Sequence, residues 1–228
     1  MWWSVVGAGA SSFVTCTDKK IVLKSHQVWE GGEIRPSLSA SFEDALCREA
    51  FMYQHLDTHS NIPACHGLEE IHPGVHALRL ELAPSGNLRD YIQKHKDMPP
   101  PVGVRLDMTL DAARALGHLH SLSVQHSNVS CRNLLLSDDH RVKLCDFGSS
   151  LIQGQAVDVG NYEEAAYELP LRGRTLKGRP VTKRGLSALG PLIYEIMAWV
   201  KPFEGDGLTE IEEARSSSLP QLGKRGGR

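Results

Sequence analysis

The chain has 228 residues, 41% hydrophobic and 23% charged, with a formal net charge of −2. This is a globular composition with enough chain for a sizeable core, in one domain or in two lobes. The near-neutral charge gives no footing for nucleic acid or an anionic membrane surface. No apolar run is long enough to cross a membrane. The five scattered cysteines form no C-x-x-C pair, so neither a disulfide scaffold nor a zinc ribbon is expected. That usage fits a reducing, cytoplasmic location. The apolar start lacks the basic region of a signal peptide.

Residues 4–24 read as strand, glycine turn, strand, turn, strand. Gly7 and Gly9 stand where backbone amides could approach phosphates. A plain glycine-rich hairpin fits the same residues equally well. Ile21–Lys24 reads as a strand, and Lys24 alone would pass for an edge-strand lysine. Residues 41–56 have helical periodicity, with Phe42, Leu46, Glu49, Tyr53 and Leu56 on one face. Ser41 with Asp44 has the form of a capping box at the helix start. Glu49 lies within the apolar stripe. A buried carboxylate needs a partner or costs several kcal/mol, roughly, in desolvation. Lys24 is the natural partner, the alternative being a charge that snorkels outward. His55 and His59 are four apart, but no third ligand accompanies them, so they read as solvated.

Residues 76–83 form a strand, the turn Pro84–Asn87 follows, and a helix starts at Leu88. Pro99–Pro101 breaks that helix. Residues 102–121 are apolar almost all round and belong in a core. His118 and His120 on this helix read as packing or surface residues. Leu134–Leu136 and Val142–Leu144 flank an Asp-rich gap and read as a β-hairpin. Its ends carry Asn133 and Asp146, two hard oxygen donors that a hairpin brings side by side. Such a pair suits a magnesium ion that also holds a phosphate, although an ordinary surface hairpin has polar ends too. Residues 149–170 lack periodicity and contain Ser149, Ser150, Tyr162 and Tyr167 as candidate phosphorylation sites. Leu186, Leu189, Ile193, Ile196 and Val200 mark another helix over residues 186–200. The tail from Ser216 is basic and flexible in composition.

The stretch from His126 to Gly148 resembles the catalytic and metal-binding loops of eukaryotic protein kinases, H-R-D-x-x-x-x-N followed by D-F-G. His126 stands at the His, Ser127 at the Arg, Asn128 at the catalytic Asp, Asn133 at the metal-binding Asn, and Asp146–Gly148 at D-F-G. Gly7, Gly9 and Ser12 fall on the glycine-rich loop, followed by Val14, and Lys24 falls on the V-A-I-K lysine. The resemblance pairs Lys24 with Glu49 of the αC helix. It makes Leu80 the gatekeeper, with the Glu81 carbonyl and the Ala83 amide facing an adenine edge. Further departures are Ser130 where many serine/threonine kinases carry a Lys that helps the transferring phosphate, Tyr167–Pro170 at A-P-E, and Gly185 at the Asp that anchors the catalytic loop.

The resemblance implies an α+β, two-lobed kinase-like fold. Residues 1–82 would form a small antiparallel N-lobe with the αC helix, residues 83–215 a mainly helical, truncated C-lobe, and residues 216–228 a tail. The implied ligands are ATP and Mg2+. The implied site is Gly7, Gly9, Val14, Lys24, Glu49, Glu81 and Ala83 for nucleotide, Asn133 and Asp146 for metal, and Lys24, Asp146 and the substituted Asn128 for catalysis. Asn carries no charge and is a negligible base, so phosphotransfer is expected to be weak or lost. The other readings are an active kinase of low turnover on protein hydroxyls, and a degenerate interaction module without nucleotide.

Overall fold

The computed structural model describes residues 4–8, 12–16, 20–26, 29–30, 33–34, 36–154, 163–170 and 181–203. The chain opens with strands β1 (Ser4–Ala8), β2 (Ser12–Cys16) and β3 (Ile21–His26), then the short pair β4 (Trp29–Glu30) and β5 (Glu33–Ile34). Helix α1 (Pro36–Leu56) leads to β6 (Cys65–His72) and β7 (Val75–Glu81). Next come α2 (Leu88–Lys94), α3 (Val102–Ser121), β8 (Val124–Gln125), β9 (Leu134–Leu136), β10 (Val142–Leu144), β11 (Leu151–Ile152) and α4 (Val181–Ala198).

The first lobe is a five-stranded antiparallel sheet in the order β1-β2-β3-β7-β6. The three leading strands fall where the sequence predicts them. β6 has no sequence signal: mostly exposed, it carries Gly67 and adjacent glutamates and two register shifts, which blur its alternation. The expected strand over 76–83 is β7, ending at Glu81. Gly9 and Tyr162 lie outside the described residues, as does the tail from residue 204.

Helix α1 carries the predicted face. Leu46, Glu49, Tyr53 and Leu56 are buried, and Phe42 is half-buried and stacks on His26. Its start differs from expectation. The helix begins at Pro36, so Ser41 lies within it rather than at its start. Proline suits the first helical position, where its missing N–H is not needed. The helix ends before Asp57, which adopts a left-handed φ of 55°. His55 and His59 are half-buried: His59 stacks on His118 with centroids 4.4 Å apart, and His55 Nε2 lies 3.4 Å from the Leu122 carbonyl.

The second lobe is helical. Asn87 caps α2, its side chain accepting from Asp90 N at 2.9 Å. Helix α3 matches its predicted span, but not its predicted burial. Met108, Ala112, Leu116 and Leu119 are buried, while Val102, Leu106 and Leu110 are exposed, so its first half is two-faced. Helix α4 turns part of its expected stripe inward: Ile196 is buried and Leu189 packs against the core. The buried face also holds Ala188 and Leu192, with Trp199 buried just past the helix end, while Leu186 and Ile193 are exposed. The inward face also carries a charge, for Glu195 is fully buried and pairs with Arg89.

Arg89 is buried on α2 and spends its fork on three partners. It donates to Glu195 through Nε at 2.8 Å and Nη2 at 3.0 Å, to Glu164 through Nη1 at 2.6 Å, and to the Tyr167 hydroxyl at 2.9 Å. Tyr167 also donates to Glu195. Tyr167 and Ser150, candidate phosphorylation sites by sequence, are both buried. The cluster ties α2, α4 and the segment 163–170 into one core with α1 and the hairpin. Replacing Arg89 with Met strands Glu195 without a countercharge and is expected to cost about 3–5 kcal/mol. Arg89→Met with Glu195→Leu should recover most of that loss in urea unfolding.

Candidate nucleotide cleft

Lys24 sits mid-strand on β3, opposite Val14 on β2 and Leu78 on β7. Its ammonium donates to both Glu49 carboxylate oxygens, at 2.9 and 2.8 Å, and to Asp146 Oδ1 at 2.6 Å. Residues separated by 25 and 122 positions thus meet at one nitrogen. The alternatives of an edge lysine and an outward-snorkelling glutamate do not hold, since Glu49 is 3% exposed.

The electrostatics follow from burial and contact. Burial opposes the charge on Lys24, but the Glu49 and Asp146 carboxylates outweigh it and raise its pKa above the ordinary value. Burial pushes the Glu49 carboxyl up, and Lys24 pulls it back. Burial would also raise Asp146, but its contact with Lys24 holds it below the usual carboxylate range. Lys24 is thus a fixed cation between a buried and a more open carboxylate, whose side chains are 3% and 45% exposed.

The backbone aims Asp146. Its φ of 67° and ψ of 68° are left-handed, a strained region for a side chain other than glycine. The turn sends the next residue, Phe147, the opposite way into the core. There its ring meets Tyr53 edge-on at 4.9 Å and His126 at 5.2 Å. The apolar plug holds the strained turn, and the turn delivers the carboxylate to Lys24. Gly148 follows, where an added Cβ would lie 3.5 Å from Glu49 Oε2.

The hairpin β9–β10 forms as the sequence predicts, with Leu134 opposite Leu144 and Leu136 opposite Val142. The Cys145 amide donates to the Asn133 carbonyl at 2.9 Å, which brings Asn133 beside Asp146. Asn133 Nδ2 donates to the Asn128 carbonyl at 2.8 Å, tying the loop across its own base. His126 braces the same loop. Its Nε2 lies 2.8 Å from the Cys145 carbonyl, and its Nδ1 accepts from the Asn128 amide at 3.3 Å. That pattern requires a neutral ring with the proton on Nε2, and burial lowers the His126 pKa accordingly. Asn128 Oδ1 is buried and takes no hydrogen bond from the described residues.

At the mouth, Gly7 on β1 pairs with Val14 on β2, beside a register shift. Leu80 on β7 is buried and pairs with Val22 on β3. Glu81 ends β7. Its side chain takes Lys143 at 2.6 and 2.8 Å and the Ala64 amide at 2.9 Å, so β10 is strapped to the link between the lobes. Ala83 starts the turn to α2, its carbonyl accepting from the Gly86 amide at 3.1 Å. Two features had no signal in the sequence: the direct bond between Lys24 and Asp146, and the double brace made by His126. Both depend on the backbone between Cys145 and Phe147, whose left-handed turn at Asp146 the D-F-G resemblance marks by position but not by geometry.

A lysine–glutamate pair on a five-stranded sheet and helix, facing a catalytic-loop hairpin with its D-F-G turn, defines a protein kinase fold. Residues 33–170, more than half of the chain, match the family model for protein tyrosine and serine/threonine kinases. The chain belongs to that family. Among its relatives is a serine/threonine/tyrosine-protein kinase, HT1, of Arabidopsis thaliana, 31% identical over 62% of this chain and 36% of its own length. The serine/threonine-protein kinase PEPKR2 of the same plant is 28% identical over 75% of this chain and 36% of its own. The inactive tyrosine-protein kinase kin-32 of Caenorhabditis elegans is 33% identical over 63% of this chain and 17% of its own. The chain therefore spans about a third or less of the length of these relatives.

The depressed Asp146 pKa sets a pH signature. Its stabilising contact is complete above the unfolded value of about 3.9 and is lost as pH falls through the lower folded value. Urea unfolding of the wild-type chain and of Asp146→Asn should differ by a constant amount between about pH 5 and 9. The difference should shrink in more acid solution, by the same linkage.

Proposed function

We propose that this chain binds Mg-ATP in the cleft between β3, α1 and the β9–β10 hairpin, and that its transfer of phosphate to protein hydroxyls is weak or lost. The observation that carries this reading is the Lys24 ammonium held between Glu49 and Asp146. ATP would supply the transferable phosphoryl group, and Mg2+ would offset its negative charge. The donor set fits a hard cation: a half-exposed Asp146 carboxylate next to the amide oxygen of Asn133, whose nitrogen is turned toward the Asn128 carbonyl. Lys24 would bind phosphate oxygens, Gly7, Gly9 and Val14 would cover them, and the Glu81 carbonyl and Ala83 amide would meet the adenine edge. In this reading residues 1–82 and 83–215 are the two lobes, and the chain works in the cytoplasm on a protein partner.

Asn128 limits the chemistry. Its side chain can hydrogen-bond a hydroxyl but cannot take the proton near neutral pH. A positioned general base contributes on the order of a hundred- to ten-thousand-fold. The binding parts are thus kept beside a disabled proton acceptor, which favours a nucleotide-binding pseudokinase over an active enzyme.

With magnesium, ATP at a hundred times its Kd should stabilise the chain by about 2.7 kcal/mol, a Tm rise of roughly 5–10 °C. Lys24→Met should abolish the rise, and absence of a rise in the wild type would remove the binding claim. Asn128→Asp should then increase radiolabel transfer to a generic protein substrate by at least about a hundredfold.

A further inference from the structure

Two charged anchors of the kinase family are replaced in this chain. Ser127 stands at the catalytic-loop Arg that meets a phosphorylated activation segment, and Gly185 stands at the Asp that holds the catalytic loop. An Asp at position 185 would require the His120 side chain to move. A Cβ on Gly185 would fall 2.7 Å from His120 Nε2 and 3.3 Å from a Leu116 methyl. The imidazole from α3 thus occupies the ground where that side chain would begin.

A different charge pair bridges the same region. Arg184, one residue before Gly185 on α4, donates from Nε to Glu163 Oε1 at 2.7 Å. Glu163 belongs to the segment that follows β11. The two side chains are 12% and 5% exposed, so water screens the pair little. Gln125 on β8 completes the link. With the amide orientation its neighbours demand, its side-chain oxygen accepts from Arg184 Nη1 at 2.6 Å and from the Ser127 hydroxyl at 3.1 Å. One guanidinium therefore joins three parts of the chain: the segment after β11, helix α4, and the catalytic loop at Gln125 and Ser127.

We propose that Glu163 and Arg184 form a permanent clamp that sets the segment 163–170 on the catalytic loop without phosphorylation. The arrangement is the family's phosphate–arginine contact with both partners moved. The anion is a carboxylate encoded in the chain, and the cation stands on α4 instead of at position 127. A carboxylate cannot be removed by a phosphatase, so the clamp has no off state. A planar guanidinium suits the task because its fork serves the carboxylate and the Gln125 amide together. The proposal holds whether or not the cleft takes nucleotide.

Hydrogen exchange on the full chain, read by mass spectrometry, tests the clamp. Glu163→Gln should speed amide exchange in residues 125–129 and 163–170 by about ten- to a hundredfold, the size of one lost charge-assisted hydrogen bond. Protection in β3, β7 and α1 should stay as in the wild type. Treating the wild-type chain with a phosphatase should change nothing in either segment. Should Glu163→Gln fail to fold, Glu163→Gln with Arg184→Met removes both charges, leaves neither buried alone, and should show the same local loss. Unchanged protection of residues 125–129, a loss spread evenly over the whole core, or loosening by phosphatase alone would overturn the proposal.

Discussion

One ammonium group organises this molecule. Lys24 reaches the carboxylates of Glu49 and Asp146, and no two of the three come from the same element. Each contact fixes something larger than itself. The bond to Glu49 sets the rotation of α1 against the sheet. The bond to Asp146 sets the turn that ends the β9–β10 hairpin. A buried Glu49 without Lys24 would be an uncompensated charge, a far greater loss than a missing surface pair.

The triad stands on an apolar footing. Phe147 is fully buried between Tyr53 and His126. Tyr53 lies one helical turn after Glu49, so the same face of α1 supplies both the carboxylate and the ring that packs on Phe147. His126 touches Phe147 with its ring and braces the loop with its nitrogens. Charge and packing therefore depend on each other here: the plug holds the strained backbone of Asp146, and the carboxylate so placed holds Lys24. A second buried cluster, Arg89 with Glu195, Glu164 and Tyr167, does the same for the lower helices. Both clusters place a basic group at the meeting of three segments.

Much of this was legible in the residues. The apolar stripe of α1 with Glu49 inside it, the two runs of the hairpin, and the family motifs at 126–148 located the cleft. They failed where a contact at long range overrides a local pattern. The stripe on α4 points Leu186 and Ile193 inward, but only its Ile196 and Leu189 reach the core, beside the buried pair of Glu195 and Arg89. Ser-x-x-Asp at Ser41 has the form of a cap, while Pro36 opens the helix five residues earlier. The edge strand β6 hides its alternation behind exposed glutamates and a glycine. The charge partners of Arg184 and Lys24 were partly or wholly invisible, because no spacing along the chain links residues 21 or 122 positions apart.

The central claim is that the Lys24 ammonium, gripped by Glu49 and Asp146, is the group that receives a nucleotide's phosphates. The most direct measurement is the 15N resonance of Lys24 Nζ, assigned by loss in Lys24→Met and followed during titration with Mg-ATP. This resonance should move in saturable fashion, together with the carboxyl carbon of Asp146. A Lys24 signal that stays fixed while amides elsewhere respond to ATP would contradict the claim.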